Sequence, residues 1–306
     1  MKIAVMAAGG LGGYYGALLA RSGNDVTFIA RGDHLRAIQA HGLIIKSTHG
    51  DFAIKPAKAT DDPMQVGPVD WILFAVKTYD TEGAARAILP MLATGTAIIT
   101  FQNGVEAHEQ IGSIVGIERV LAAPTQIVSN VAAPGLIEQR SQFRTMTVGE
   151  AVTGMTPRVE RITTELRKAG VDATPAPDIR KPLWHKFVFI ASIAGLSSLA
   201  RCTPFELMQL AEARETLRAA MEEVYAVGTA LGVPMDPDIV ERQYRFCLKL
   251  SPGQKSSMQI DLEQGKRLEI DALSGAVVRL GAAKGVPVPV HRTIYSGLKM
   301  QDGRSR

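Results

Sequence analysis

The chain has 306 residues, which at about 150 residues per domain suggests two domains. Hydrophobic residues make up 46% and charged residues 21%, which excludes a disordered chain, a collagen-like fibre and a coiled coil. The 34 Lys and Arg exceed the 30 Asp and Glu by only +4, too small and too dispersed an excess for a nucleic-acid footprint.

Residues 3–6 form a short apolar run, predicted as a buried parallel strand. Ala7-Ala8-Gly9-Gly10-Leu11-Gly12-Gly13 follows, and then residues 14–20 carry helical apolar spacing until Ser22-Gly23-Asn24 stops it. Residues 26–30 read as a second strand. This is a βαβ unit of about thirty residues with its glycines at the strand-to-helix turn, where the dinucleotide fingerprint requires them. Gly9 lets backbone approach a pyrophosphate, Gly12 lets the helix pack closely on the strand, and the helix N-terminus faces the negative charge. Ala7, Gly9, Gly10, Leu11 and Gly12 are therefore the candidate cofactor-binding residues of this turn. Ala7 replaces the first glycine of the pattern, a substitution expected to be tolerable only if φ stays negative there.

An NAD site commonly places Asp or Glu at the end of the second strand. This chain places Arg31 there, nineteen positions after Gly12. A guanidinium pairs bidentately with a 2′-phosphate and stacks beside adenine, so the expected cofactor is NADP.

Strands are predicted over residues 69–76, ending at Lys77-Thr78, and 96–101, ending at Gln102-Asn103-Gly104. Ligands of open α/β sheets sit at the carboxyl ends of strands, so Lys77 and Asn103 are candidates to border a nicotinamide or its substrate. Asn103-Gly104 also suits an ordinary turn. Further strands are expected over 119–125 and 146–149. A helix over 156–169 carries Val159, Ile162 and Leu166 at helical spacing and is capped by Gly170. Residues 171–182, with Pro175, Pro177 and Pro182, read as a junction, which sets the domains at 1–178 and 179–306.

Beyond the junction helical patterns dominate: 184–199, 213–231, 237–250, 255–264, 268–284, and a last helix opened by Pro289. The first of these is mostly apolar, with Lys186 its one charged residue, and a buried lysine is costly unless it has a partner or a task. Ile190 and Ala194 lie one and two turns further along its face. Glu269 sits between Leu268 and Ile270, and Ser256-Ser257 suits a helix N-cap. Spacing alone takes Glu269 and Ser257 no further. Cys202 and Cys247 form no disulfide framework, no metal-ligand pattern is present, and no run of about 18 apolar residues suggests a membrane span. A reducing, cytoplasmic setting is expected, with neither nucleic acid nor membrane as partner.

Together these stretches resemble the ketopantoate reductases (2-dehydropantoate 2-reductases). The likeness rests on the glycine turn from Gly9 to Gly16, on Phe28-Ile29-Ala30-Arg31-Gly32 and on Ala59-Thr60-Asp61-Asp62-Pro63. It continues through Ala75-Val76-Lys77-Thr78-Tyr79-Asp80-Thr81, Gln102-Asn103-Gly104-Val105, Leu183-Trp184-His185-Lys186, Ser256-Ser257-Met258 and Glu269-Ile270-Asp271. The resemblance implies an α/β Rossmann domain followed by an all-α domain like the C-terminal part of 6-phosphogluconate dehydrogenase, with NADPH and a 2-oxo acid in the cleft between them. It implies that Arg31 binds the 2′-phosphate, that Lys77 and Asn103 border the nicotinamide, that Lys186 and Glu269 are catalytic, and that Ser257 binds substrate. It does not locate a homodimer surface, although the helical domain is apolar enough to offer one.

Many family members carry asparagines one and two turns after the catalytic lysine, where this chain has Ile190 and Ala194. That departure keeps open a related NADP-dependent 2-oxo or 3-hydroxy acid dehydrogenase with a more apolar substrate. A non-catalytic NADP-binding sensor is a further alternative, against which the retention of Lys186 and Glu269 argues.

Overall fold

The computed structural model describes residues 1–152 and 154–302. Two compact units emerge among the described residues: Met1–Gln102 with Ala107–Ile179, and Asn103–Glu106 with residues 180–302.

The first unit contains strands β1 (Lys2–Met6), β2 (Asp25–Ile29), β3 (Leu43–Ser47), β4 (Phe52–Ile54), β5 (Lys58–Thr60), β6 (Val69–Phe74) and β7 (Leu92–Thr100). Strands β8 (Val120–Ala122), β9 (Thr125–Gln126), β10 (Ser129–Ala133), β11 (Leu136–Gln139), β12 (Thr145–Glu150) and β13 (Asp172–Pro175) complete it. Its helices are α1 (Gly10–Arg21), α2 (Gly32–His41), α3 (Thr81–Ala87), α4 (Ala107–Val115) and α5 (Pro157–Lys168).

The large sheet runs β13-β12-β8-β7-β6-β1-β2-β5, with β9 paired to β12. From β5 to β8 every neighbouring pair is parallel. The chain steps outward from β1 through β2 to β5, then returns to β6 on the other side of β1. That reversal makes the β1/β6 carboxyl end the topological switch point, where open α/β sheets bind ligands. The sheet is buried on both faces, as parallel sheets require. Ile3, Val5, Trp71, Leu73 and Ile99 join the core on one face, while Ala4, Met6, Ile72, Phe74 and Ile98 join the core on the other.

Four features differ from the sequence-based expectations. Ala7 has φ +72°, not the negative value expected of an alanine there. The backbone must reverse between Met6, whose carbonyl accepts from Ala75 N–H at 2.9 Å, and Ala8, whose N–H donates to the Ile29 carbonyl at 2.9 Å. These two bonds over-determine the turn, and a methyl is the smallest side chain that can be forced into it. Second, residues 172–175 of the expected linker form β13, parallel to β12. An edge strand bonds on one side only, so Pro175 at its end is tolerated.

Third, residues 268–273 are not helical; the following helix begins at Ser274. Leu268 N–H is taken by Asp302 Oδ1 at 2.8 Å, and Leu268, Glu269 and Ile270 are buried in succession in a turn. Fourth, one helix of the second unit is long and apolar enough to cross a membrane by length and composition, although no such segment was expected. Most of it is buried against neighbouring helices, which supply the apolar surroundings.

A four-stranded sheet, β10-β11-β3-β4, was not anticipated. Its strands pack on α1, where a side chain at Gly13 would come within 3.0 Å of Ile137.

The second unit is helical: α6 (Arg180–Ala200), α7 (Pro204–Leu207), α8 (Ala211–Ala230), α9 (Ile239–Cys247), α10 (Ser257–Glu263), α11 (Ser274–Lys284) and α12 (Pro289–Lys299). The membrane-length helix is α6, which contacts α8, α9, α10 and α12.

Candidate active site

At the switch point the turn from β1 into α1 presents backbone rather than side chains. Gly9 is the N-cap of α1, with no capping side chain and no acidic residue in the first turn. Nothing lies within 4 Å of where a Gly9 side chain would start. The amide-rich N-terminus is thus left open, and its dipole favours an anion. Gly12 closes the other side: a Cβ there would lie 2.2 Å from the Ala7 carbonyl oxygen. Leu11 is half-buried in the first turn, and Gly10 abuts β10, whose Ser129 carbonyl would lie 2.4 Å from an added Cβ. These residues fit a dinucleotide pyrophosphate.

Two side chains that sequence reasoning missed brace this turn. Ser129 Oγ donates to the Gly10 carbonyl at 2.8 Å. His34 donates from Nε2 to the Ala8 carbonyl at 2.9 Å, while its Nδ1 accepts from Gly135 N–H at 3.0 Å. Only Gly135, in the β10–β11 turn, carried a signal of its own, the Pro134-Gly135 pair.

Arg31 follows β2 as the N-cap of α2, exposed. Its guanidinium makes no hydrogen bond to another described residue, leaving it available to a phosphate. Lys77 follows β6, half-buried. Beside it runs a buried polar chain: Thr100 Oγ1 donates to Gln102 Oε1 at 3.1 Å, Gln102 Nε2 to Thr81 Oγ1 at 2.7 Å, and Thr81 Oγ1 to the Thr78 carbonyl at 2.7 Å. It ties the end of β7 to the loop after β6.

Asn103 follows β7 in sequence but belongs to the second unit. There Lys186 Nζ donates to Asn103 Oδ1 at 3.0 Å. Burial pushes the Lys186 ammonium down from 10.5 to about 8, against the opposing pull of the Glu269 carboxylate. Glu269 is itself buried, at 7% exposure, so its field is little screened by water. Lys186, Asn103 and Glu269 therefore form one constellation from three distant stretches of sequence. A lysine titrating near neutral pH beside an amide and a carboxylate can hold a proton and deliver it to an oxygen that is gaining charge.

The start of α6 is anchored around this lysine. His185 Nε2 accepts from Asp236 N–H at 3.2 Å, and its carbonyl accepts from Gln243 Nε2 at 3.1 Å. Ile190, one turn after Lys186, is half-buried; Ala194, two turns on, is buried. Ser256 is the N-cap of α10, accepting from Gln259 N–H at 3.1 Å, and Ser257 is its first helical residue. Helix α10 packs on α6.

The two-domain fold agrees with comparisons to known proteins. Residues 3–152 match the model of the ketopantoate reductase PanE/ApbA family, and residues 178–302 match that of its C-terminal part. A 2-dehydropantoate 2-reductase from Mesorhizobium japonicum is 33% identical, with 94% of each chain covered. An uncharacterized oxidoreductase from Bacillus subtilis is 29% identical over 99% of each chain. The crystal structure of 2-dehydropantoate 2-reductase from Geobacter metallireducens superposes with a TM-score of 0.94 at 32% identity, covering 98% of this chain and 99% of that one. With the family model matching both halves, the chain belongs to the ketopantoate reductase family and is an oxidoreductase of the 2-dehydropantoate 2-reductase type.

Proposed function

We propose that this protein reduces a 2-oxo acid with NADPH, the substrate being ketopantoate and the product pantoate. The observation that carries the reading is Lys186 held 3.0 Å from Asn103 Oδ1 with its ammonium brought down to about 8. Bound NADPH supplies the hydride to the carbonyl carbon. Lys186 stabilises the developing charge on the carbonyl oxygen and donates the proton, a role worth about 10²–10⁴-fold in rate. Glu269 keeps the lysine charged, and Asn103 fixes the direction of its Nζ. Ser257 binds substrate. In the first unit the Ala7–Gly12 turn would hold the pyrophosphate, Arg31 the 2′-phosphate, and Lys77 would border the nicotinamide. The free cysteines Cys202 and Cys247 suit a reducing cytoplasm.

A second reading is favoured by one observation: Ile190 is half-buried on the face of Lys186, and Ala194 follows it. Neither side chain can hydrogen-bond a substrate hydroxyl, so a more apolar 2-oxo or 3-hydroxy acid would lose little here. Loss of NADPH absorbance with ketopantoate, compared with 2-oxo acids bearing unsubstituted branched chains, separates the two. A ketopantoate kcat/KM at least about ten-fold above the others supports the first reading; the reverse order supports the second. An unchanged rate in Lys186→Ala would remove the proton-donor role from both.

A further inference from the structure

The constellation at Lys186 draws on two segments far apart in sequence, and one side chain grips both. Arg279, on α11, donates from NH2 to Glu106 Oε2 at 2.7 Å and from NH1 to the Asp271 carbonyl at 3.0 Å. Glu106 lies three residues after Asn103, in the four-residue stretch that joins the second unit. Asp271 lies two residues after Glu269. The two segments also meet directly: a Cβ on Gly104, at φ +92°, would lie 2.8 Å from the Ala272 carbonyl oxygen. Asp271 is held from the other side as well, by Tyr295 Oη at 2.8 Å and Lys299 Nζ at 2.6 Å, so that segment is anchored at both its backbone and its side chain.

We propose that Arg279 is a positioning residue for the proton-donor site, its guanidinium clamping the Asn103 segment to the Glu269 segment so that amide and carboxylate both stay on Lys186. The inference rests on the reading of Lys186 as proton donor. A planar guanidinium can serve two acceptors at once from separate nitrogens, whereas an ammonium is a point charge on a flexible stem. The Arg279 side chain is half-exposed. Asn103 and Glu269 both favour the charged form of Lys186, one by accepting its hydrogen bond and the other by its charge.

The sign of the Lys186 response separates this role from plain electrostatics. Removing a cation from the neighbourhood raises a lysine's pKa, whereas loosening its acceptor and its carboxylate lowers it. The test is a carbon-13 NMR titration of the lysines in Arg279→Gln and Arg279→Lys, with the Lys186 signal assigned by its loss in Lys186→Ala. It needs neither cofactor nor substrate, so it stands apart from any failure of the proposed reaction. The expected result is a fall of about half a unit or more in Arg279→Gln and a smaller fall in Arg279→Lys. In turnover, kcat should drop about ten-fold with little change in the KM for NADPH. A Lys186 titration that is unchanged or raised in Arg279→Gln overturns the proposal. Arg279→Lys keeps it falsifiable if the glutamine variant does not fold, since an unchanged titration there also overturns it.

Discussion

Lys186 and Asn103 stand 83 positions apart in sequence, yet Nζ of one donates to Oδ1 of the other at 3.0 Å. The charged ammonium donates this bond more strongly than a neutral amine would, and burial has brought that ammonium down to about 8. The pH behaviour of the site follows from this pair and from Glu269.

In the proposed role Lys186 donates only while charged, so kcat for reduction should fall as pH rises through about 8. Glu269 is the influence that holds the lysine up. Glu269→Gln should therefore move the alkaline limb to lower pH by about one unit, which lowers kcat about two-fold near neutrality and about five-fold near the original midpoint. A pH–rate profile of both proteins checks this, and a limb that stays in place would exclude Glu269 from the role.

The same burial makes Lys186 a liability for folding. Its pKa falls from 10.5 unfolded to about 8 folded, so below pH 8 it is charged in both states and the folded state bears the desolvation cost. That cost is relieved as pH rises from about 8 to 10.5, where the unfolded chain binds the extra proton. Lys186→Met should abolish turnover while raising stability at pH 7 by roughly 1–2 kcal/mol, measured by urea unfolding.

Ala7 at φ +72° carries strain that a glycine would not. Ala7→Gly should stabilise the folded protein by up to about 1 kcal/mol, the relief being partly offset by the freer unfolded chain. Urea unfolding tests it; a loss of stability would show that the methyl makes contacts outweighing the strain.

Arg31 is exposed, so Arg31→Ala should fold normally. A charge-assisted bond is worth about 1.5–3 kcal/mol, so NADPH affinity should fall about ten- to hundred-fold while NADH affinity changes little. Fluorescence titration with each nucleotide decides it. Equal losses would mean that Arg31 supports the loop instead of reading the 2′-phosphate.

Strands β1, β2, β6, β7, β8 and β12 of the large sheet were legible because runs such as residues 3–6 are apolar throughout and buried. The glycine turn was legible because Gly9 and Gly12 have separate backbone tasks. The small sheet was not: β10 is Ser-Asn-Val-Ala-Ala, largely exposed, and its pairing with β11 is fixed by tertiary contact with α1. The segment from Leu268 to Leu273 misled because apolar residues in sequence suit a helix or a buried turn equally, and its course depends on Asp302, 34 positions away. Lys186 announced itself as a lone charge in an apolar helix. Arg279 did not, because one exposed arginine on a helix carries no mark of what it holds.

The chain passes from one unit to the other not once but three times, at Gln102, at Glu106 and at Ile179. The second unit is therefore not a module that one cut can release. A chimera joined after Ile179 would graft Lys186 and Glu269 onto a foreign first half while leaving their asparagine behind. Exchange of such halves between relatives should succeed only where the donor of the first half also supplies the Asn103–Glu106 stretch in matching form.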